Sequence, residues 1–217
     1  KGAIDAMYLQ LAQIINDSDF VNIQEFSLNT AQKQQVKDFS SVRWMFVKSF
    51  QDNNDWTGVA MVSRWEPYDL IPLRSVDAEP VSNTPKTALI AKYKIADGTE
   101  LWVADMHALN FNVIPGAYER QLDALVAQIE NYDGALIFTG DFNTWLPERW
   151  NYLLETSKML GMEHAELDSP VGFFHVTMDH VFYRKIKNVK AEVLYEYTGS
   201  DHLPLRIQFD LLSGAGA

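Results

Sequence analysis

The chain has 217 residues, of which 47% are hydrophobic and 12% aromatic, and its formal net charge is −11. This composition excludes a disordered chain and favours one large domain, which we place at residues 1–212, followed by a tail or linker at 213–217. The absence of cysteine excludes thiol nucleophiles, disulfides and cysteine-based zinc sites, and the acidic charge argues against a broad basic surface that grips many phosphates.

Apolar residues recur at helical or alternating spacing along most of the chain. Ile4, Tyr8, Leu11 and Ile15 lie on one face of a helix, whereas short apolar runs bounded by turn residues predict strands. The predicted elements are helix 4–15, strand 20–24, a helix capped by Asn29 or Thr30, strands 42–50, 58–63, 86–95 and 100–106, helix 115–132, strand 135–138, helix 147–160, and strands 178–183, 189–197 and 203–209.

The order of these elements indicates the architecture. Strands and helices are mixed, and at least three strand pairs have hairpin-like spacing, one of them around the turn 96–98. This pattern favours two sheets packed face to face with helices outside over a purely parallel wound sheet. No apolar run approaches the ~18 residues that span a bilayer, no protein partner is implied, and the compartment stays open.

Several motifs of common enzyme classes are absent from the sequence. It contains no Gly-x-Ser-x-Gly, no phosphate loop ending in Gly-Lys-Ser/Thr, no His-Glu-x-x-His and no Gly-x-Gly-x-x-Gly. Serine hydrolases of that type, P-loop nucleotidases and Rossmann dehydrogenases therefore have no support.

Polar residues instead stand where apolar strands begin or end, and such residues can converge on one rim of a sheet. Taken singly, each has an ordinary explanation as a solvated or turn-forming side chain. Asp179 differs because it lies within an apolar stretch and needs a partner, for which His202 is the natural candidate. The set is Glu25, His107, Asp141, Asp179, Asp201 and His202.

Some of these residue types suit hydrolytic chemistry. Asp141 can hold a nucleophilic water and Asn143, two residues on, can donate to a phosphoryl oxygen. Glu25 offers the hard oxygen ligand that Mg²⁺ or Mn²⁺ prefers.

The order of the motifs along the chain resembles the endonuclease/exonuclease/phosphatase superfamily, and in finer detail its YafD-like bacterial branch. The motifs are Glu25 after an early strand, His107-x-x-Asn110, Gly140-Asp141-Phe142-Asn143-Thr144-Trp145, Asp179-His180-Val181-Phe182 and Ser200-Asp201-His202-Leu203-Pro204. The resemblance covers essentially the whole chain. It implies an α/β fold of the DNase I-like kind, a four-layer sandwich of two mixed β-sheets with helices on both outer faces.

The resemblance also implies a role for each matching residue. Glu25 binds a divalent metal, Mg²⁺ or Mn²⁺, and Asp201 completes or supports that site. The implied catalytic residues are His202, Asp141, Asn143, His107 and Asp179, and the implied substrate-binding residues are Asn110 and Lys86. Whether His202 or Asp141 is the base stays open, and Lys86 stands where many relatives have arginine.

One feature of the family is not found in the sequence. The resemblance places a metal-site asparagine on a strand that we expect a few residues before Lys1. Asn22 is not a substitute, because it lies within the next strand, before Glu25.

The combined prediction is a divalent-metal-dependent phosphoesterase, with a diester as the preferred substrate and nucleic acid as one class of it. Alternatives are a phosphatase or phospholipase acting on small phosphoesters or lipid head groups, and a non-catalytic binding module. A nuclease needs its basic residues near the site, for which Lys86, Arg64, Arg74, Arg149 and Arg184 are candidates.

Substrate-selecting loops are expected at 52–57, 70–85 and 111–118. Near the site, Trp56, Trp145, Phe173 and Phe174 could stack on a ring, although rim packing is the ordinary explanation.

Overall fold

The computed structural model describes residues 2–27, 41–80, 82–95, 98–111, 114–167 and 178–212. The helices are α1 (Gly2–Asn16), α2 (Ala117–Ile129) and α3 (Pro147–Met159). The strands are β1 (Phe20–Ser27), β2 (Arg43–Asp52), β3 (Asp55–Ser63), β4 (Asp69–Ala78), β5 (Pro85–Lys94), β6 (Glu100–His107), β7 (Ala135–Asp141), β8 (Glu163–His164), β9 (Asp179–Arg184), β10 (Ile186–Val193) and β11 (Leu205–Leu211). None of the described helices is long and apolar enough to cross a membrane.

A six-stranded mixed sheet forms the centre of the fold. Its order is β4-β5-β6-β7-β9-β8, in which only β6 and β7 run parallel. Alternate side chains point to opposite sides of this sheet, and both sides are buried. On β6, Leu101 and Val103 face one core, and Ala104 and Met106 face the other.

Further layers cover both faces of the central sheet. Helices α2 and α3 pack on one face through residues such as Leu122 and Leu153. The antiparallel sheets β1-β3-β2 and β10-β11 pack on the other through residues such as Met61 and Ala191, and α1 covers the outer side of β1 and β3. The predicted four-layer α/β fold is therefore confirmed. In the described residues, the second β layer consists of two separate antiparallel sheets.

A cleft of about 2160 Å³ separates these two antiparallel sheets. Among the described strands, β1 pairs only with β3, and β11 only with β10. Leu101, Val103 and Ile137 of the central sheet line the cleft, as do Met7 and Leu11 of α1. Both sheets thus present an unpaired strand edge to the same space.

Several predicted boundaries were wrong. Residues 70–85 were expected to form a loop, but β4 is an edge strand paired with β5, where Pro72 is tolerated because one side of the strand needs no partner. The strand expected at 189–197 is β10, Ile186–Val193, because its register with β11 starts at Ile186. The short strand β8 was missed, and the loop expected at 52–57 is reduced to a two-residue turn at 53–54, because Asp52 ends β2 and Asp55 begins β3. The predictions for Asn29, Thr30, Ala96, Asp97, Phe173 and Phe174 lie outside the described residues.

Candidate active site

Three predicted residues stand side by side at one edge of the central sheet. His107 ends β6, Asp141 ends β7 and Asp179 begins β9, and the strand register pairs His107 with Asp141 and Asp141 with Asp179. Neighbouring strands lie about 4.8 Å apart, so the three side chains form a row although they are distant in sequence. Nε2 of His107 lies 3.6 Å from Oδ2 of Asp141.

His202 joins this row from the loop before β11. Its Nδ1 lies 2.7 Å from Oδ2 of Asp179, which is the pairing predicted from the buried position of Asp179. The hydrogen bond with Asp179 raises the pKa of His202 to about 9, against the opposing effect of burial. The imidazole of His202 is therefore protonated at neutral pH.

Asp141 is the most buried carboxyl of the row that faces the cleft. Burial, reinforced by the negative charge of Asp179, raises the pKa of Asp141 to about 7, although Oδ1 accepts a 3.0 Å hydrogen bond from the backbone N–H of Asn143. Burial and the nearby Lys86 lower the pKa of His107 well below its usual value. A neutral imidazole therefore lies beside a carboxyl that can exchange a proton near neutral pH.

Glu25 and Lys86 adjoin the row at its His107 end, where Oε1 of Glu25 lies 3.7 Å from Nε2 of His107. Glu25 lies within an irregularity in the β1–β3 register, between Ile23 and Phe26, and has a positive φ of 53°, which is uncommon outside glycine. Lys86 is buried, and its Nζ lies 3.3 Å from Oε1 of Glu25 and 3.4 Å from Oε1 of Glu79. Its charge is thus offset by two carboxylates. Sequence analysis missed Glu79 because it lies in the segment expected to be a variable loop.

The two predicted asparagines hold the loops that follow β6 and β7. Nδ2 of Asn143 donates to the backbone carbonyl of Ala108 at 2.9 Å, which leaves one amide hydrogen for another acceptor. Oδ1 of Asn110 accepts a 2.9 Å hydrogen bond from Nε1 of Trp145. Both asparagines line the cleft, and both tie one loop to the other.

A further carboxyl lies below the row. Asp105 is two residues before His107 on β6, fully buried, and accepts hydrogen bonds from Gln24 and Thr139 through Oδ1. Burial raises its pKa to about 7. Sequence analysis overlooked it, although an acidic residue inside the apolar run 101–106 is the same signal that singled out Asp179.

Glu25 and Asp201 are the predicted metal ligands. Within the described ranges, no three His, Cys, Asp or Glu side chains converge as a ready-made metal-binding cluster. Mg²⁺, however, is commonly held by one or two carboxylates together with water and substrate phosphate. The side chain of Glu25 is 69% exposed, Asp201 is also exposed, and both line the cleft, so each carboxylate is accessible to a cation of that kind.

The basic residues named as candidates for a phosphate-binding rim lie elsewhere, apart from Lys86. Of the five, Lys86 alone lines the cleft. Arg64 donates to the backbone carbonyls of Asn16 and Ser18, at the opposite end of β1 from Glu25. Arg149 and Arg184 are buried and also donate to backbone carbonyls, which makes them structural residues.

Comparisons with known proteins show the family and the fold of this chain. A model of the endonuclease/exonuclease/phosphatase family matches residues 5–202. A UPF0294 protein of Vibrio cholerae is 30% identical over 209 residues, which cover 94% of this chain and 72% of that protein. The structure of the human Nocturnin catalytic domain with bound sulfate has a TM-score of 0.74 at 19% identity, covering 96% of this chain and 86% of that one.

A mannosyl-6-phosphatase of Bacteroides thetaiotaomicron has a TM-score of 0.66 at 17% identity, covering 94% of this chain and 90% of that one. These two structures share the fold, whereas the family match extends from α1 to His202 and includes every predicted site residue. The chain belongs to the endonuclease/exonuclease/phosphatase family.

Proposed function

We propose that this protein is a divalent-metal-dependent phosphoesterase that hydrolyses small phosphodiesters by in-line attack of water. The observation that most supports this is the row of His107, Asp141 and Asp179 with His202 hydrogen-bonded at its end. The row combines a carboxyl that titrates near neutral pH with a protonated imidazole, and both border one cleft.

The pKa values favour a division of labour between Asp141 and His202. Asp141, with a pKa of about 7, is suited to accept the proton of the attacking water as the new oxygen–phosphorus bond forms. His202 is protonated at neutral pH, so it stabilises negative charge on the phosphoryl oxygens or gives its proton to the leaving oxygen. Asp179 keeps that imidazole oriented and charged.

Glu25 and Asp201 would hold the metal, Mg²⁺ or Mn²⁺. When bound, such an ion neutralises charge that develops on phosphoryl oxygens. Lys86 lies against Glu25 and therefore offsets the negative charge of this carboxylate when no metal is bound.

The charge distribution favours a small diester over duplex nucleic acid. The chain has a net charge of −11, and Arg64, Arg149 and Arg184 donate to backbone carbonyls and do not line the cleft. High-affinity duplex binding rests on many phosphate contacts from lysine and arginine. A substrate with one phosphate needs few such contacts.

Hydrolysis of bis(p-nitrophenyl) phosphate with Mg²⁺ or Mn²⁺, with and without EDTA, tests the proposal. We expect turnover that EDTA abolishes and that Asp141→Asn and His202→Ala each reduce by at least about a hundredfold, the usual size of acid–base effects. Asp133→Asn, at a 94% exposed side chain outside the cleft, is the matched control and should retain wild-type turnover.

p-Nitrophenyl phosphate, measured in parallel, separates diesterase from monoesterase activity. A folded protein without metal-dependent turnover of either ester would contradict the proposal and favour the binding module.

A further inference from the structure

Two exposed aromatic side chains lie beside the row of candidate catalytic residues. Phe111 is four residues beyond His107, and Trp145 is four residues beyond Asp141. Because β6 and β7 are parallel neighbours, their loops leave the same edge of the sheet and place both rings on one side of the site. Phe111 is 66% exposed and Trp145 is 40% exposed, and their ring centroids are 6.1 Å apart.

The indole of Trp145 is held in place from within the protein. Its Nε1 donates to Oδ1 of Asn110 at 2.9 Å, and the buried guanidinium of Arg149 lies 5.5 Å from the ring centroid. Arg149 is itself fixed, because it donates to the carbonyls of Leu109 at 2.8 Å and Asn143 at 3.2 Å. Arg149 therefore supports one side of the Trp145 indole, and the exposed part of the indole lies elsewhere on the ring.

Phe111 is exposed at the cost of backbone strain. Its φ is 45°, a left-handed conformation that is unfavourable for a bulky side chain. Its backbone N–H donates to Oδ1 of Asn110 at 2.8 Å, so Asn110 holds both aromatic residues. The backbone N–H of Asn110 in turn donates to Oε1 of Glu79, the partner of Lys86.

These hydrogen bonds, of 2.8 to 2.9 Å, connect the two rings to the loops that carry the candidate catalytic residues. Nδ2 of Asn143 and the carbonyl of Ala108 join the loops, and Asn110 and Phe111 line the same cleft as Asp141 and His202. Packing does not account for an arrangement in which a strained loop presents a large apolar ring to solvent. A rigid aromatic surface of this kind is suited to stacking on a planar ring.

We propose that Phe111 and Trp145 form an aromatic platform that stacks on a planar heteroaromatic ring of the substrate, such as a nucleobase, attached to the reacting phosphate. This inference rests on the proposed function and specifies its substrate class as small, ring-bearing phosphodiesters. Stacking on an aromatic side chain commonly contributes a factor of about ten in affinity per base, and it requires no basic rim.

Two diesters with the same leaving group test the platform. Thymidine 5′-(p-nitrophenyl phosphate) has a ring next to the phosphate, and methyl p-nitrophenyl phosphate has none. In the wild type we expect a higher kcat/KM for the thymidine ester. Trp145→Leu and Phe111→Leu, which keep an apolar side chain, should each reduce the ratio of the two kcat/KM values by about tenfold.

Trp56→Leu is the matched control, because Trp56 is 36% exposed, lies on β3 outside the loops that follow β6 and β7, and its ring meets Nζ of Lys48. This variant should keep the wild-type ratio. Equal losses on both esters in the Trp145 and Phe111 variants would overturn the platform, because they would indicate a purely structural role. An octyl p-nitrophenyl ester that matched the thymidine ester would likewise overturn it in favour of a general apolar surface.

A binding measurement separates failure of the platform from failure of the proposed function. Without turnover, thymidine 5′-monophosphate should still shift the NMR signal of the Trp145 indole N–H, whereas methyl phosphate should not. No shift with either compound would overturn the platform. Absence of metal-dependent hydrolysis of both esters, with the thymidine shift present, would contradict the proposed function alone.

Discussion

At the scale of single residues, the hydrogen bond between His202 and Asp179 decides how the candidate site is charged. Asp179 is the largest cause of the high pKa of His202, and the neighbouring Asp201 is the smallest. A histidine whose pKa is raised in the folded state contributes stability that is complete below its unfolded value of about 6.5 and is lost as the pH passes its folded value of about 9.

Asp179→Asn should therefore lower the pKa of His202 from about 9 towards about 6.5, because the neutral amide does not favour the imidazolium. The titration of the His202 ring protons by NMR measures this directly. Asp201→Asn is the comparison and should produce a smaller decrease. Equal decreases in the two variants would show that the 2.7 Å hydrogen bond is not the main cause.

The buried carboxyl of Asp105 also makes stability depend on pH. Because its pKa is raised in the folded state, the folded protein keeps a proton that the unfolded chain loses. Below about pH 4 the carboxyl is protonated in both states. Between about pH 4 and pH 7 the unfolded chain ionises first, so stability decreases as the pH rises, and above about pH 7 the loss is complete.

Asp105→Asn should consequently raise the free energy of unfolding at about pH 8 by up to about 4 kcal/mol, and change it little at about pH 4. The amide keeps the acceptor oxygen that Gln24 and Thr139 use. Urea unfolding at both pH values measures the difference, with the exposed Asp133→Asn as the control. A variant that is less stable at both pH values would contradict this explanation.

At the scale of elements, the parallel pair β6–β7 aligns His107 with Asp141. Gly140 allows the backbones of these two strands to approach closely. A Cβ atom at Gly140 would lie 1.9 Å from the carbonyl oxygen of Met106 on β6, and its φ is 157°. The missing side chain is therefore a requirement of the strand contact next to the site.

Gly140→Ala should destabilise the fold by about 1–3 kcal/mol and should also reduce turnover, because separating the strands moves His107 away from Asp141. Gly161→Ala is the control: its φ of +67° makes alanine unfavourable, but no atom lies within 4 Å of the added Cβ. It should lower the Tm and leave kcat/KM unchanged at temperatures where the protein is folded. Wild-type kcat/KM in Gly140→Ala would refute the link between strand spacing and the site.

At the scale of the whole molecule, the cleft between β1 and β11 distinguishes the second β layer from the central sheet. In an antiparallel pair, alternate backbone N–H groups point away from the partner strand. On β1 and β11 those groups face the cleft, where the described part of the chain provides no further strand.

Hydrogen exchange of the 217-residue chain should therefore be faster in peptides from β1 and β11 than in peptides from β5 and β6. The central strands are paired on both sides and buried on both faces. Mass spectrometry after short labelling times measures the difference. Protection of β1 equal to that of β6 would show that its free edge is covered in solution.

The sequence by itself determined the features that depend on local pattern. Apolar alternation located most strands, and helical spacing located α1, α2 and α3, because these patterns follow directly from backbone periodicity. It also predicted the partner of Asp179, since a carboxylate within an apolar stretch needs one. The order of the motifs was sufficient for the family and hence for the four-layer fold.

Only the tertiary structure decided which distant groups meet. Lys86 lies between Glu25 and Glu79, Asn110 holds Trp145, and Arg149 supports that ring from behind, and none of these contacts follows from spacing along the chain. The pKa values of Asp105, Asp141 and His202 were equally inaccessible, because burial and neighbouring charge depend on packing between elements. Sequence patterns determine which face of an element is buried, whereas register and layer packing determine what that face contacts.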